Sequence, residues 1–288
     1  MSPGRRWLTI GRPWSSAAEV RGAQAARAKK SLGQNFLVDA NLQRKIVEAL
    51  GASPDDEVLE IGPGRGALTR HLVGRVGRLT LVEIDDALAA ALRERFDGRP
   101  DVRIVQADVL DVDLPSILTK TENTRVIGNI PYNITTPIIF KLLERPRPLD
   151  IVLMVQAEVA DRITASVGTK SYGALSVGVR SVARVERLFK VGRGAFRPVP
   201  RVESAVLRIT PIRPEPLDPT EEERVRRVVR ASFEWRRKQL RKILRDHPDL
   251  NIEADRVNEV LNQQDLSGQA RPETLEPERF VALANALL

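Results

Sequence analysis

The sequence predicts an α/β fold with a seven-stranded sheet, followed by a small, all-helical C-terminal domain. Short apolar runs alternate with helix-period patterns from about residue 42 to 165, as in β-α-β units on a parallel sheet. Two more strand-like runs near residue 200 are separated by only about a dozen residues, which indicates an antiparallel hairpin. Beyond a proline-rich linker, only helical patterns remain.

Each predicted strand is a short apolar run bounded by turn residues. The seven strands are Val58–Ile61, Leu79–Val82, Val102–Val105, Val126–Gly128, Ile151–Val155, Val185–Val191 and Ser204–Ile209. Helices are predicted where apolar residues recur every three or four positions. In this part of the chain they are Leu42–Leu50, a helix through Leu68 and Leu72, Ala87–Phe96, Pro137–Leu143 and Glu158–Ala165.

Four prolines between residues 211 and 219 form a stiff linker that separates two domains. We therefore expect a first domain over residues 29–212 and a helical, Arg-rich domain over residues 213–288. The helices of the second domain are predicted at about 220–232, 234–246, 253–262 and 276–287. Residues 1–28 contain five arginines and one acid but no apolar core of a secretory signal. We interpret them as a disordered basic tail; an organelle transit peptide is the alternative.

Composition narrows the classes of site that the chain can form. With no cysteine and two histidines among 288 residues, disulfides and thiolate metal sites are excluded, and we expect no metal site. No apolar run approaches the ~20 residues of a membrane span. We expect a soluble, cytoplasmic protein.

The basic residues are concentrated in one segment. The net charge is +8, and residues 224–245 contain ten Lys or Arg against one acid, Glu234. Such a segment favours contact with nucleic-acid phosphates. A generally arginine-rich protein with solvated charges is the alternative. The predicted RNA contacts are Arg226, Arg230, Arg236, Arg237, Lys238 and Arg241.

A glycine turn and two acids predict a cofactor site. Glu60-Ile61-Gly62-Pro63-Gly64-Arg65-Gly66 follows the first strand, and Ala67 stands where a nicotinamide-binding fingerprint would have its third glycine. Glu83 ends the second strand, where it can bind both ribose hydroxyls, and Asp108 follows the third strand, near an adenine amino group. These carboxylates would repel a diphosphate but suit S-adenosylmethionine, which is cationic and lacks phosphate. A dinucleotide is the alternative ligand.

Asn129-Ile130-Pro131-Tyr132 stands at the end of the fourth strand, at the sheet edge where open α/β sheets bind ligands. The Asn129 side-chain oxygen and a nearby backbone carbonyl can accept hydrogen bonds from a planar exocyclic amine. The Tyr132 ring can stack on the base that carries this amine. An ordinary strand-ending turn is the alternative reading.

Taken together, these motifs resemble the ribosomal RNA adenine dimethyltransferase family, most closely its small-subunit type, from about Lys30 to Leu244. Further matching segments are Leu32–Leu37, Asn133–Pro137, Ser171–Ser176, Phe196–Val206 and Arg236–Leu240. Ile130 stands where the family commonly has Leu, and Thr135 replaces Ser. The resemblance does not cover the N-terminal tail. It implies a Rossmann-like, seven-stranded S-adenosylmethionine-dependent methyltransferase domain.

The resemblance also implies roles for individual residues. Cofactor contacts are implied at Asn35, Leu37, Gly62, Glu83, Asp108 and Asn129. The catalytic residues implied are Asn129, Ile130, Pro131, Tyr132 and Phe196, with Tyr132 and Phe196 sandwiching the target base. The expected reaction is transfer of methyl groups from S-adenosylmethionine to N6 of adenosines in small-subunit ribosomal RNA, with dimethylation of two adjacent adenosines in an immature subunit, by a monomer. The alternatives are a large-subunit enzyme of the macrolide-resistance type and a non-catalytic assembly factor.

Overall fold

The computed structural model describes residues 34–288. The basic tail predicted over residues 1–28 lies outside the described residues, as do the first five residues of the domain predicted over 29–212.

Nine strands form a seven-stranded mixed sheet and a separate two-stranded pair. The strands are β1 (Phe36–Leu37), β2 (Glu57–Ile61), β3 (Arg78–Glu83), β4 (Val102–Gln106), β5 (Thr124–Asn129), β6 (Asp150–Gln156), β7 (Ala183–Val191), β8 (Phe196–Arg197) and β9 (Ser204–Pro211). The large sheet has the order β4-β3-β2-β5-β6-β9-β7. Strands β2 to β6 are parallel, and β9 is antiparallel to both β6 and β7.

Helices connect the parallel strands and make up the C-terminal part of the chain. They are α1 (Ala40–Leu50), α2 (Thr69–Leu72), α3 (Asp86–Arg95), α4 (Leu114–Ile117), α5 (Thr135–Leu142), α6 (Ala157–Ile163), α7 (Ala174–Arg180), α8 (Pro219–Glu234), α9 (Leu240–Asp246), α10 (Ala254–Gln263) and α11 (Pro277–Leu287). Short 3-10 turns occupy Thr121–Asn123, Tyr132–Ile134, Arg193–Ala195 and Pro272–Thr274.

The central strands are apolar on both sides because helices cover both faces of the sheet. Val126 and Leu59 belong to the hydrophobic cluster on one face, and Ile127 and Val58 to the cluster on the other. All four side chains are fully buried. This two-sided burial explains why the strands are continuous apolar runs rather than alternating ones.

All seven predicted strands of the large sheet are confirmed, including the antiparallel hairpin. One predicted helix differs from the structure, and two observed helices, α4 and α7, were not predicted. The helix predicted over 234–246 begins only at Leu240, because the chain turns after α8, where the Lys238 N–H donates to the Trp235 carbonyl at 2.7 Å. Helix α7 was not predicted, since Gly173 and Gly178 lower the helix propensity of its segment.

The C-terminal helices share a hydrophobic core with the α/β part. The rings of Tyr172 and Phe233 of α8 meet edge to face at a centroid distance of 6.1 Å, and Phe233 packs on Phe280 of α11 at 5.7 Å. The Tyr172 hydroxyl donates to the Leu275 carbonyl at 2.7 Å. One continuous cluster of buried residues therefore extends from the sheet to the last helix.

An ion-pair network also joins the two parts of the chain. Arg147 is 1% exposed, and its Nη2 lies 2.6 Å from Oε1 of Glu222 in α8. The same carboxylate oxygen accepts from Arg145 Nη2 at 2.7 Å. Glu215, in the linker, pairs with both arginines. Because the cations are largely withdrawn from water, they depend on these two carboxylates for compensation.

Within residues 34–288, none of the helices has the length and apolar character needed to cross a bilayer. The same residues contain no group of three or more acidic or histidine side chains arranged to bind a metal ion.

We predict that Glu222→Gln lowers the free energy of unfolding by roughly 3–5 kcal/mol, because it leaves Glu215 as the single carboxylate beside two arginines, one of them fully buried. The matched control is Glu223→Gln. Glu223 is 67% exposed and pairs with Arg226 at 3.7 Å, so its loss should cost less than about 1 kcal/mol. Urea unfolding of the three proteins measures both values. Equal small losses would show that the network does not hold α8 in place.

Candidate active site

The glycine turn between β2 and α2 requires glycine for its backbone conformation. Gly62, Gly64 and Gly66 have φ values of 62°, 56° and 76°, in the left-handed region that L residues with a Cβ rarely adopt. A Cβ at Gly64 would also lie 3.3 Å from the Phe36 ring. The backbone of the turn therefore lies close to β1, at the carboxyl edge of the sheet.

Acidic side chains follow the next two strands. Glu83, at the end of β3, is 4% exposed and accepts hydrogen bonds from the Gly64 N–H at 2.9 Å and the Asp85 N–H at 3.0 Å. Asp108 lies just beyond β4 and accepts from the Leu110 N–H at 2.9 Å, which closes a local turn. Glu83 thus ties the glycine turn to β3, and both carboxylates lie at the carboxyl edge of the sheet.

Glu60 is a buried acid directly before the glycine turn. It is 1% exposed and accepts a hydrogen bond from the Thr69 hydroxyl at 2.7 Å. Burial raises the pKa of Glu60 to about 8; the Thr69 hydrogen bonds oppose the shift, and the nearby Glu83 charge adds to it. Burial also raises the pKa of Glu83, against the backbone N–H groups of Asp85 and Gly64.

These elements enclose a cavity of about 490 Å³ at the carboxyl edge of the sheet. All six residues with expected cofactor contacts line it: Asn35, Leu37, Gly62, Glu83, Asp108 and Asn129. So do Glu60, Ile130, Pro131 and Tyr132. Three arginines complete the charged lining, namely Arg65, Arg70 and Arg95. The guanidinium of Arg65 lies over the Phe36 ring, 4.2 Å from its centroid.

Strands β1 and β8 place the segment before α1 against this cavity. Phe36 pairs with Arg197, and Leu37 with Phe196. The Leu37 carbonyl accepts from Gln43 Nε2 at 2.9 Å, which fixes β1 on α1. Strands of two residues have no recognisable period, so the sequence offered no signal for this pair.

Asn129 is held in one orientation. Its Nδ2 donates to the Asn35 carbonyl at 3.0 Å, and none of the residues from 34 onward donates to its Oδ1. The Ile130 carbonyl likewise accepts no hydrogen bond from that part of the chain. Two acceptors in neighbouring positions, both beside the cavity, are therefore available to a ligand.

Tyr132 has a partner that the sequence did not reveal. Its hydroxyl lies 2.6 Å from the hydroxyl of Ser204, the fully buried first residue of β9. Burial raises the Tyr132 pKa, and the Ser204 hydrogen bond opposes this shift. The two residues are far apart in the sequence, and only the antiparallel placement of β9 brings them together.

Phe196 is not brought to the cavity. Its side chain is fully buried, and it packs in the hydrophobic cluster that contains Leu37 and Met154. The expectation that its ring sandwiches the target base stays a prediction, and it requires the ring to leave this core position.

The six basic residues predicted to contact RNA lie on α8, α9 and the turn between them. Arg226 faces the carboxylates of Glu222 at 3.5 Å and Glu223 at 3.7 Å. Arg236 donates to the Thr169 carbonyl at 3.2 Å. The other four are exposed: Arg230, Arg237, Lys238 and Arg241. The surface is therefore less uniformly basic than the sequence of residues 224–245 predicts.

Comparison with known proteins places this site in a family. A model described as "Ribosomal RNA adenine dimethylase" matches residues 25–282. "Ribosomal RNA small subunit methyltransferase A" of Geobacter metallireducens is 41% identical over 272 residues, 93% of this chain and 98% of the relative. The protein of the same name from Pseudomonas aeruginosa is 42% identical over 262 residues, 91% of this chain and 95% of the relative.

Solved structures agree with this placement. A dimethyladenosine transferase from Plasmodium falciparum is similar with a TM-score of 0.76 and 26% identity, covering 86% of this chain and 95% of that one. The 23S rRNA methyltransferase ErmE has a TM-score of 0.68 and 32% identity, covering 88% of this chain and 99% of its own. Since the family model and these relatives span nearly the whole sequence, the chain belongs to the ribosomal RNA adenine dimethylase family.

Proposed function

We propose that this protein transfers methyl groups from S-adenosylmethionine to N6 of adenosines in small-subunit ribosomal RNA, and that it dimethylates two adjacent adenosines. The observation that carries the proposal is the geometry at Asn129. Its carboxamide nitrogen is held by the Asn35 carbonyl, which leaves Oδ1 as an acceptor beside the acid-lined cavity.

The cavity fits S-adenosylmethionine in its donor chemistry. Its backbone turn leaves room for close approach, since glycine occupies all three positions of positive φ. Glu60 and Glu83 are buried acids without an ion pair in the described part of the chain, and a cationic ligand offsets the cost of their ionisation. Asn35, Leu37, Gly62 and Asp108 would complete the contacts. When bound, S-adenosylmethionine supplies an electrophilic methyl group.

Asn129 and Ile130 would act on the amine. The Asn129 Oδ1 and the Ile130 carbonyl accept hydrogen bonds from the two N6–H groups, which orients the nitrogen and favours its pyramidal, more nucleophilic form. Pro131 follows with no N–H that could compete. No general base is required, because the proton leaves after the cationic product forms. The main contribution is therefore positioning of the nitrogen.

Tyr132 would hold the target base. An adenosine must leave its RNA stack to reach the cavity, at a cost of a few kcal/mol. Stacking on an aromatic ring returns about 1–3 kcal/mol per base. Ser204 keeps the Tyr132 ring in place through the 2.6 Å hydrogen bond between their hydroxyls. We infer that Ser204 is a positioning residue.

The helical segment over residues 213–288 would bind RNA as a separate functional domain, in the context of an immature small subunit and as a monomer. The exposed Arg230, Arg237, Lys238 and Arg241 supply its phosphate contacts. The relatives named for the small subunit are 41–42% identical over more than 90% of this chain, which supports a small-subunit substrate over the large-subunit alternative. The intact acids and Asn129 support an enzyme rather than a factor that only binds.

We predict that Asn129→Ala lowers methyl transfer by at least about 100-fold, because the N6 nitrogen loses its position, while RNA binding stays within a few-fold of wild type. Transfer of tritiated methyl groups to unmethylated small subunits measures the effect, and large subunits serve as the competing substrate. Asn123→Ala is the matched control, since exposed Asn123 precedes β5 at the opposite edge of the sheet. Near-wild-type turnover of Asn129→Ala would overturn the role of Asn129.

A double-mutant cycle tests the Tyr132–Ser204 pair. Tyr132→Phe and Ser204→Ala each remove the same hydrogen bond, so the double variant should lose no more activity than one single variant. We expect the kcat values of the four proteins to give a coupling free energy of about 0.5–1.5 kcal/mol between the two side chains. Tyr132→Ala should lose more, because stacking is removed as well. Additive losses in the cycle would contradict the positioning role.

The raised pKa of Glu60 predicts a pH-dependent stability. Because the folded protein holds this proton up to about pH 8, the stability that Glu60 contributes is complete below its ordinary pKa of 4.5 and is lost as the pH rises through 8. The free energy of unfolding of Glu60→Gln, relative to that of wild type, should therefore increase as the pH rises from about 5 to 9. Urea unfolding across this range, without cofactor, measures the difference. Exposed Glu48→Gln is the control, and parallel curves for all three proteins would contradict the prediction.

A further inference from the structure

The loop between β7 and β9, residues 192–203, lies at the same sheet edge as the proposed target-base site; we call it the arginine loop. Strand β9 runs antiparallel to β6, and Ser204 at its start pairs with Gln156 at the end of β6. Strand β6 is parallel to β5, which ends at Asn129. The loop that precedes Ser204 therefore emerges at the carboxyl edge of the sheet.

The arginine loop carries exposed positive charge. Arg193, Arg197 and Arg201 are all exposed, and none has a carboxylate partner in the described part of the chain. The one acid of the loop, Glu203, is also exposed. Two of the guanidinium groups instead donate to carbonyls of the loop: Arg193 to Arg201 at 3.4 Å, and Arg197 to Phe196 at 2.8 Å.

Exposed apolar side chains lie between these arginines. Val199 is 55% exposed and Val202 is 44% exposed, two of the five large apolar side chains that the described residues expose. A basic loop that also presents apolar side chains matches an RNA strand, whose phosphates are anionic and whose unstacked bases present apolar faces.

The loop is continuous with the site proposed for the target base. Ser204, the first residue after the loop, lies 2.6 Å from the Tyr132 hydroxyl. Strand β8, within the loop, pairs with β1, which lines the cavity. Nucleotides on either side of a base stacked on Tyr132 would therefore lie beside this loop.

We propose that the arginine loop binds the single-stranded nucleotides flanking the target adenosine, through their phosphates at Arg193, Arg197 and Arg201 and through base or sugar faces at Val199 and Val202. The proposal rests on the proposed function, since it uses the RNA that is methylated at the cavity. A single strand is the fitting form, because extrusion of the target base already separates its neighbours from a regular stack. The loop acts together with the basic residues of α8, α9 and the turn between them.

The test is a variant that carries Arg193→Gln, Arg197→Gln and Arg201→Gln. Binding to protein-free small-subunit ribosomal RNA is measured as a function of KCl concentration, and methyl transfer to unmethylated small subunits is measured in parallel. Loss of three phosphate contacts to a single strand should reduce the slope of log K against log salt by about 2 and weaken binding at least about tenfold. KM should rise while kcat at saturating subunits stays within a few-fold of wild type.

A control and a second variant keep the outcome clear. Arg75→Gln with Arg78→Gln removes two exposed charges at the amino edge of the sheet and should leave the slope unchanged. The single variant Arg201→Glu keeps the hydrogen bonds that Arg193 and Arg197 donate to loop carbonyls, so it tests the loop without loosening it. Its affinity for the RNA should fall several-fold, and its melting temperature should stay unchanged.

The two proposals fail in different ways. The loop proposal is overturned if wild type methylates the subunits but the triple variant shows the same salt dependence of RNA binding as the Arg75→Gln, Arg78→Gln control. The methyltransferase function stands in that case. If affinity falls for whole subunits but not for protein-free RNA, the loop contacts a protein, which also overturns the loop proposal. If wild type transfers no methyl group to either subunit, the proposed function fails, whatever the slope shows.

Discussion

The site depends on how closely β5 lies beside β2. Their parallel register pairs Ile61 with Gly128, so both strands end at the same level. A Cβ at Gly128 would lie 2.8 Å from the Ile61 carbonyl oxygen, closer than real contacts allow, so only glycine permits this approach. Gly62 and Asn129 follow at once, and the Asn129 carbonyl lies 3.7 Å from where a Gly62 Cβ would be. The glycine turn and the tetrapeptide are neighbours for this reason.

Hydrogen bonds then fix the positions of the backbone and side-chain groups that line the cavity. Glu83 accepts from the turn at Gly64 and from Asp85, so β3 holds the turn by its carboxylate rather than by packing alone. The Asn35 carbonyl holds the carboxamide of Asn129 from the other side. The contacts of Glu83 with Gly64 and of Asn129 with Asn35 join segments distant in the sequence. Each fixes a polar group that a ligand would otherwise have to order at an entropic cost.

The sequence was informative where one element could be recognised by itself. Buried strands are continuous apolar runs, and the acids that follow them lie together because parallel strands end at one edge. Contacts between distant segments were not predictable. The Tyr132–Ser204 hydrogen bond depends on the antiparallel placement of β9, and the pairing of β1 with β8 involves only two residues on each side. The carboxylates beside Arg226 are a local feature of α8, since Glu222 and Glu223 precede it by four and three residues. Only the pairing of Glu222 with Arg147 is a tertiary contact.

The core shared by the C-terminal helices and the sheet has a consequence for the proposed binding of RNA. Tyr172, Phe233 and Phe280 pack in one cluster, and a swing of α8 away from the sheet would expose them to water. The span from the basic turn after α8 to Tyr132 is therefore nearly constant. If the basic turn binds RNA phosphates and Tyr132 binds the extruded base, as proposed, this fixed span selects RNA by distance: a substrate fits only when its phosphates and its target base are separated by that length.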